Sequence, residues 1–476
     1  MEYVLRSEEV AILGDTSLTR RRMLIGAGIL GGASLLAACG QVAAPAAEEA
    51  PEMEEKEAEA EAPQMETVQV DFWSLNGFWA SFTEGVGLEL RDEFNSMQDA
   101  IHINTMPTPW SETFEKLPAA VAADAAPDMS FAPRFTIKTL AHGGLASEMT
   151  EMVRASATID TSDMWEEILN DAVWQGRQFG MPFTPDARTL FIGHENLIEA
   201  GLDPENPPAT WDDLYSAIGR LVKREGQKIT QLGYTPHWGP GSIFACWMVA
   251  VWQLGGAIIS ADDSTSTLDN EITVAAFEHM LRIYDLQDGF LAADEFRGDT
   301  DPRIAFTDRG VSMIYTIYDT PHQPNYKAGF DKLDYSATGV PLPPGGNTVT
   351  YSGCGDNIIP NGSRNPEQAF TFIEWLFEAP QDLRHALGKS RIPMRKSVAN
   401  SEDFIQGDPL RREAVDSMAV AGFVVGAPGG IGLIGIHNRM AQSIFKKEVT
   451  IQEALAEADQ LAQEVLDEAL ANSVLE

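Results

Sequence analysis

At 476 residues, 44% of them hydrophobic, the chain can bury a large core and is long enough for two domains or one large bilobal body. Its 71 acidic side chains against 33 basic ones leave a net charge of −38, which repels phosphate backbones and anionic membrane surfaces and excludes a nucleic-acid binder. Three cysteines, Cys39, Cys246 and Cys354, are too few for a disulfide scaffold or a four-cysteine zinc site.

The first informative stretch is Thr19-Arg20-Arg21-Arg22-Met23-Leu24, a cationic patch followed by an apolar run that ends in Leu36-Ala37-Ala38-Cys39. The run is shorter than the ~20 apolar residues a spanning helix needs, and four glycines weaken it as a helix, so residues 1–38 read as a signal peptide. The Thr-Arg-Arg-x-Met-Leu pattern resembles a twin-arginine export signal, and Leu-Ala-Ala-Cys resembles a lipobox that makes Cys39 the lipidated N-terminus. This implies an exported chain, lipid-anchored on the outer face of the cytoplasmic membrane or periplasmic. Residues 39–66 are rich in Ala, Pro and Glu and carry only Lys56 as a base, too few apolar anchors to pack, which predicts a disordered acidic tether.

Folded structure begins at Val68, where Val68, Val70 and Phe72 alternate with Gln69 and Asp71 as in a half-buried strand ending at Trp73. Farther along, Ser111–Ala126 reads as a helix, with Asp128–Ala132 and Leu190–Ile192 as strands. Thr210-Trp211-Asp212-Asp213 is a capping box, and Gly226 is expected just past the end of the helix it opens. Asn365-Pro366 starts another helix, and Thr450-Ile451-Gln452-Glu453 opens the last. Alternating helices and strands predict an α/β class with crossover helices.

Several chemistries lack support. The Gly-x-Gly-x-x-Gly match at Gly26 lies inside the signal, and the one at Gly430–Gly435 has no following strand, so a tight loop feeding a helix from Ile436 is the better reading. None of the eight histidines stands three or four residues from another, which gives helical metal sites no support, and no metal or cofactor is expected. No Gly-x-Ser-x-Gly elbow occurs. Asp186 and Asp356 could be nominated as a glycosidase pair, but a solvated or hydrogen-bonded carboxylate is the default for each. Whether Cys246 and Cys354 pair stays open. What remains is an inventory of rings (Trp73, Trp79, Trp238, Trp247, Trp252, Tyr315, Tyr318, Tyr351) and planar polar groups suited to a polyhydroxylated ligand, with Trp247 and Trp252 leaning toward the core.

The segments Val70-Asp71-Phe72-Trp73, Ala125-Ala126-Pro127-Asp128-Met129, Leu140-Ala141-His142-Gly143-Gly144-Leu145, Gly180-Met181-Pro182-Phe183, Ala200-Gly201-Leu202-Asp203-Pro204, Pro208–Leu214, Tyr351-Ser352-Gly353 and Asn365–Phe370 occur in one order. Together they resemble family 1 extracellular solute-binding proteins, the carbohydrate receptors of ABC importers that include maltose-binding protein. The resemblance implies a two-lobed periplasmic-binding-protein-like α/β fold with a ligand cleft between the lobes. Lobe 1 would comprise residues 67–183 and 350–402, and lobe 2 residues 188–342 and 408–476.

Carried over by motif, the ligand-binding residues would be Trp73, Asn76, Arg134, Asp186, Trp238, Tyr318, Ser352 and Gly353, several of them just beyond the carboxyl ends of strands, where ligands of α/β sheets sit. Cys354 departs from the usual second glycine of the Tyr-Ser-Gly-Gly turn. Gly426–Gly435 holds no aromatic where the maltose-binding branch has one, which argues against a maltodextrin. The resemblance implies a monomer that binds a sugar without altering it and hands it to a separate membrane permease driven by a separate ATPase. The alternatives are a same-fold receptor for a polyamine or peptide, and an exported glycoside hydrolase.

Overall fold

The computed structural model describes residues 66–472 apart from 77–80, 184, 237–242, 299, 354 and 423–425. The expected signal, Cys39 and nearly all of the tether lie outside the described residues, as do Trp79, Trp238 and Cys354. Among the described residues, no helix is long and apolar enough to cross a membrane.

The first strand, Val68–Leu75, forms because Val70 and Phe72 point into a core where both are fully buried, while Gln69 and Asp71 face outward. It runs two residues past the expected end, since Ser74 and Leu75 continue the parallel register with Pro107 and Thr108. The sheet it nucleates has the order Ile101–Thr108, Val68–Leu75, Met129–Pro133, Gly355–Ile358, Met181–Phe183. Its first three strands are parallel. The Gly355–Ile358 strand enters antiparallel between Met129–Pro133 and Met181–Phe183.

Between residues 183 and 355 the chain builds a second sheet, in which Arg188–Gly193 lies between the antiparallel strands Met313–Ile317 and Tyr335–Thr338. Each sheet has its own core. Val70, Phe72, Phe82, Phe94 and Phe372 cluster on the first, and Phe191, Trp247, Phe277, Phe306 and Phe445 cluster on the second. The helix Ile243–Gln253 is apolar on nearly every side because it is buried in that second cluster, where Trp247 stacks on Phe277 at 4.9 Å.

The local signals at helix starts hold closely. Thr210 Oγ1 accepts the Asp213 N–H at 3.1 Å, and Asp213 Oδ2 accepts the Thr210 N–H at 3.1 Å. Thr450 and Glu453 repeat the arrangement at the start of Ile451–Ala471. Other boundaries move. The first of these helices stops at Leu221, and Gly226 instead turns a hairpin, Lys223–Glu225 with Lys228–Gln231, which its charged strands concealed. The helix expected over Ser111–Ala126 spans Trp110–Ala122.

Gly430–Gly435 is not a loop before a helix but the opening of one, Gly430–Phe445. Gly429, at φ +79°, makes the preceding turn; a Cβ there would lie 2.6 Å from Val465, so glycine is what lets this helix lie close against the last one.

The helix Pro409–Ser417 buries Ala414 and Val415, followed by Met418, in the cluster of the first sheet. Leu433, Leu455 and Leu466 beyond it pack in the second. Among the fully buried residues of this stretch, those up to Ala421 pack in the first core and those from Ala427 on pack in the second.

Candidate functional site

Three passages of the chain meet where the two sheets adjoin: residues 185–188, 349–353 and 419–422. Asp186 and Gly353 lock the first two together, the Asp186 N–H donating to the Gly353 carbonyl at 3.0 Å and the Gly353 N–H to Asp186 Oδ1 at 2.8 Å. The same Asp186 carboxylate is ion-paired with Arg188, whose guanidinium lies 4.9 Å from the Tyr351 ring centre. Thr350–Tyr351 pairs in parallel with Ala421–Gly422, and the Ser352 N–H donates to the Gly422 carbonyl at 2.9 Å.

Arg134, in the turn after Met129–Pro133, ties this junction to the helix Glu166–Asn170. It is ion-paired with Asp171 and donates to the carbonyls of Glu167 at 3.2 Å and Ser352 at 3.4 Å. Four residues on, Lys138 reaches Asp263 at 2.6 Å, and His142 meets the Ala469 carbonyl. The spacing of four puts all three on one face of the turn and helix that follow the strand, and all three bind across to other parts of the chain.

Beside this junction lies a cleft of about 340 Å³. Trp252 and Val349, which pack on the second core, form one side, and Ala421, from the first core, belongs to the other. Ala419, Val420, Gly422 and the exposed Glu167 complete the lining. A Cβ on Gly422 would stand 3.0 Å from the six-membered ring of Trp252, so the backbone rests directly on the indole. A stacking ring, aliphatic walls and one carboxylate suit a ligand with C–H faces and hydrogen-bond donors. Among the described residues, no cluster of His, Cys, Asp and Glu is arranged to hold a metal ion.

The structure brings Arg134, Asp186, Ser352 and Gly353 of the expected residues together, but their polar groups are largely occupied by one another and by the backbone. Tyr318 is 2% exposed in the first core, its N–H donating to the Ala187 carbonyl at 3.0 Å. Trp73 packs on a separate small cluster with Ile137 and Trp174, and Asn76 is exposed at the end of its strand. Trp238 lies outside the described residues. Trp252, which the sequence assigns to the core, is only partly buried and walls the cleft. Glu167 carries no sequence signal at all, because a Glu on a short exposed helix looks like any solvated acid.

One buried acid near this junction has a distinct electrostatic character. Asp356, on the Gly355–Ile358 strand, is fully buried, and neither carboxylate oxygen has a hydrogen-bond partner. Burial pushes its pKa up to about 7, against the opposing pull of Arg134. A carboxyl held above its unfolded value of about 3.9 keeps its proton more tightly in the fold. Its contribution to stability is thus fully present below about pH 4 and is lost as pH rises through about 7. Urea titrations of the wild type and Asp356→Asn at pH 5 and pH 8 should show the wild type losing more stability over that interval. Equal losses in the two proteins would show that Asp356 does not titrate there.

Comparison with known proteins bears on most of the chain. The family described as "Bacterial extracellular solute-binding protein" matches residues 89–413. A curated protein of Brucella abortus, named only as a binding protein, is 22% identical over 377 residues, covering 78% of this chain and 88% of its own length. The cyclic α-maltosyl-1,6-maltose binding protein of Arthrobacter globiformis superposes with a TM-score of 0.71 at 20% identity, over 84% of this chain and all of its own. An ABC transporter solute-binding protein of Thermotoga lettingae, solved with α-D-tagatose bound, gives a TM-score of 0.69 at 19% identity, with 84% of this chain and 100% of that one covered. The chain shares the two-lobed α/β fold of these solved structures.

Proposed function

Because the chain belongs to the bacterial extracellular solute-binding protein family, we propose that it captures a sugar or oligosaccharide between its two lobes and delivers it to an ABC permease. The observation that carries this reading is the cleft at the junction of the two cores, lined by Trp252, Glu167 and aliphatic side chains. The sugar-binding character of the structurally similar proteins supports it. The solute is bound and released without reaction.

Export by a twin-arginine-like signal over residues 1–38, a lipid on Cys39 and a tether to residue 66 would hold the receptor at the membrane beside a permease powered by a separate ATPase. The first lobe holds residues 67–183 and about 352–422, and the second holds 188–349 and 427–471. This division groups most buried residues by core, although Ile317 and Tyr318 pack on the first, and it puts the last crossing after Gly422. A ligand that touches both lobes favours the closed form, and only contacts made better in that form can drive the shift.

The test is a thermal-shift panel of mono- and oligosaccharides, polyamines and short peptides on the chain from Thr67 onward. A tight ligand raises the melting temperature through RT ln(1 + [L]/Kd). Sugars are expected to do so; a shift by a polyamine or peptide with none by any sugar would sink the assignment. Trp252→Ala is expected to weaken sugar binding by about tenfold or more, since a stacked ring contributes on the order of 1 kcal/mol beyond its buried area. Isothermal titration checks it, with the melting temperature of the free variant as the control for folding.

A further inference from the structure

The charges around the cleft divide unevenly. The neighbouring carboxylates Asp171, Asp186, Asp263 and Asp319 are ion-paired with Arg134, Arg188, Lys138 and Arg391 respectively. Glu167 stands apart. Its backbone carbonyl is held by Arg134, yet among the described residues no cation pairs with its carboxylate, which is exposed in the lining of the cleft. The cations of this region are thus committed to other acids, and the described lining contains no basic side chain.

Trp252 lines the same cleft as Glu167, and an indole ring carries negative charge on its face. Aliphatic Val349, Ala419, Val420 and Ala421 make up most of the rest. A carboxylate and an aromatic ring lining one cleft is a combination that holds an ammonium group. An acidic sugar would meet only repulsion there, reinforced by the protein's net charge of −38.

We infer that Glu167 and Trp252 form an ammonium-recognising corner, so that the solute is a cationic, amino-substituted sugar. This rests on the sugar-binding reading above and narrows it. Arg134 is a positioning residue here: by holding the Glu167 carbonyl and pairing with Asp171 it sets the helix from which the carboxylate projects.

The test measures binding of matched sugars that differ in charge to the full mature chain, by isothermal titration in low salt: glucosamine, glucose and glucuronate, and the β-1,4-linked trimers chitosan triose, cellotriose and cellotriuronate. The amine is expected to bind most tightly and the acid least. Glu167→Gln, an exposed and nearly isosteric change, should reduce binding of the amine by about ten- to a hundredfold, as for loss of a charge-assisted bond, and should weaken the amine several times more than the neutral sugar, which loses only a neutral hydrogen bond. A neutral sugar that binds as well as its amine, with both indifferent to Glu167→Gln, would overturn the ammonium corner while leaving sugar capture standing. Tightest binding by the acidic sugars overturns it also. If no sugar of any charge binds and a peptide does, the underlying reading fails and this one with it.

Discussion

Arg391→Met is expected to destabilise the protein by about 3–5 kcal/mol, the cost of leaving a buried charge without its partner. Arg391 Nη1 donates to Asp319 Oδ2 at 2.6 Å, with the two side chains 4% and 0% exposed. Asp319 follows the second-sheet strand Met313–Ile317, whereas Arg391 follows the helix Ala379–Lys389, which packs on the first core. The pair therefore stands where the chain passes between the cores, beside the bond from the Ile392 N–H to the Pro185 carbonyl at 3.0 Å.

Burial pushes the Asp319 pKa up to about 6, and Arg391 opposes the rise. Without the guanidinium, the carboxyl should take up its proton at a higher pH, so the loss of stability should shrink as pH falls. Arg391→Met combined with Asp319→Leu should recover much of the loss, because no charge is then left buried. Urea denaturation of the two single variants and the double variant provides the comparison. A cost below about 1 kcal/mol for Arg391→Met would mean that water reaches the pair and the buried-charge account is wrong.

Asp128→Ala should be nearly as severe, costing about 3–4 kcal/mol, because one carboxylate satisfies a whole set of donors. Its Oδ1 accepts from Ser363 Oγ at 3.0 Å and from the N–H groups of Arg364 at 3.0 Å and Asn365 at 2.9 Å. Its Oδ2 accepts from the Asp71 N–H at 3.1 Å and from Asn365 Nδ2 at 3.2 Å. Asp128 therefore fastens the start of the Met129–Pro133 strand to its neighbour and to the N-terminal end of the helix Pro366–Leu376. Truncation would leave partly buried N–H groups unpaired. Asp128→Asn keeps one acceptor and should lose about half as much. Calorimetric unfolding of both variants tests the ranking; sugar affinity should stay unchanged for whatever fraction remains folded, since none of these groups lines the cleft.

Asp128 also explains part of why the family was legible. Ala125–Met129 and Asn365–Phe370, two of the segments that carry the resemblance, touch through this one side chain although 237 positions separate Asp128 from Asn365. Motifs of this kind record how the scaffold is fastened, and so they identify the fold more surely than the ligand. The strand at Val68, the capping boxes at Thr210 and Thr450 and the Pro366 start are all readable from residues within a few positions of one another. The hairpin at Gly226 was concealed because the Lys223–Glu225 strand is exposed on every residue and leaves no alternation to detect.

What the amino-acid order determined by itself is what local physics dictates: periodicity sets which residues turn inward, side-chain caps set where helices begin, and composition sets a strongly acidic body. Tertiary structure alone decided which aromatic faces the cleft and which charges stay available. Trp247 and Trp252 lie five residues apart on one apolar helix, yet one is sealed against Phe277 and the other walls an opening, because a separate part of the chain, ending at Gly422, arrives beside only the second. Arg134 is drawn into ion pairing by Asp171 and Glu167 is left without a described cation for the same reason: pairing depends on distances across the fold, and those are fixed only when both cores have packed.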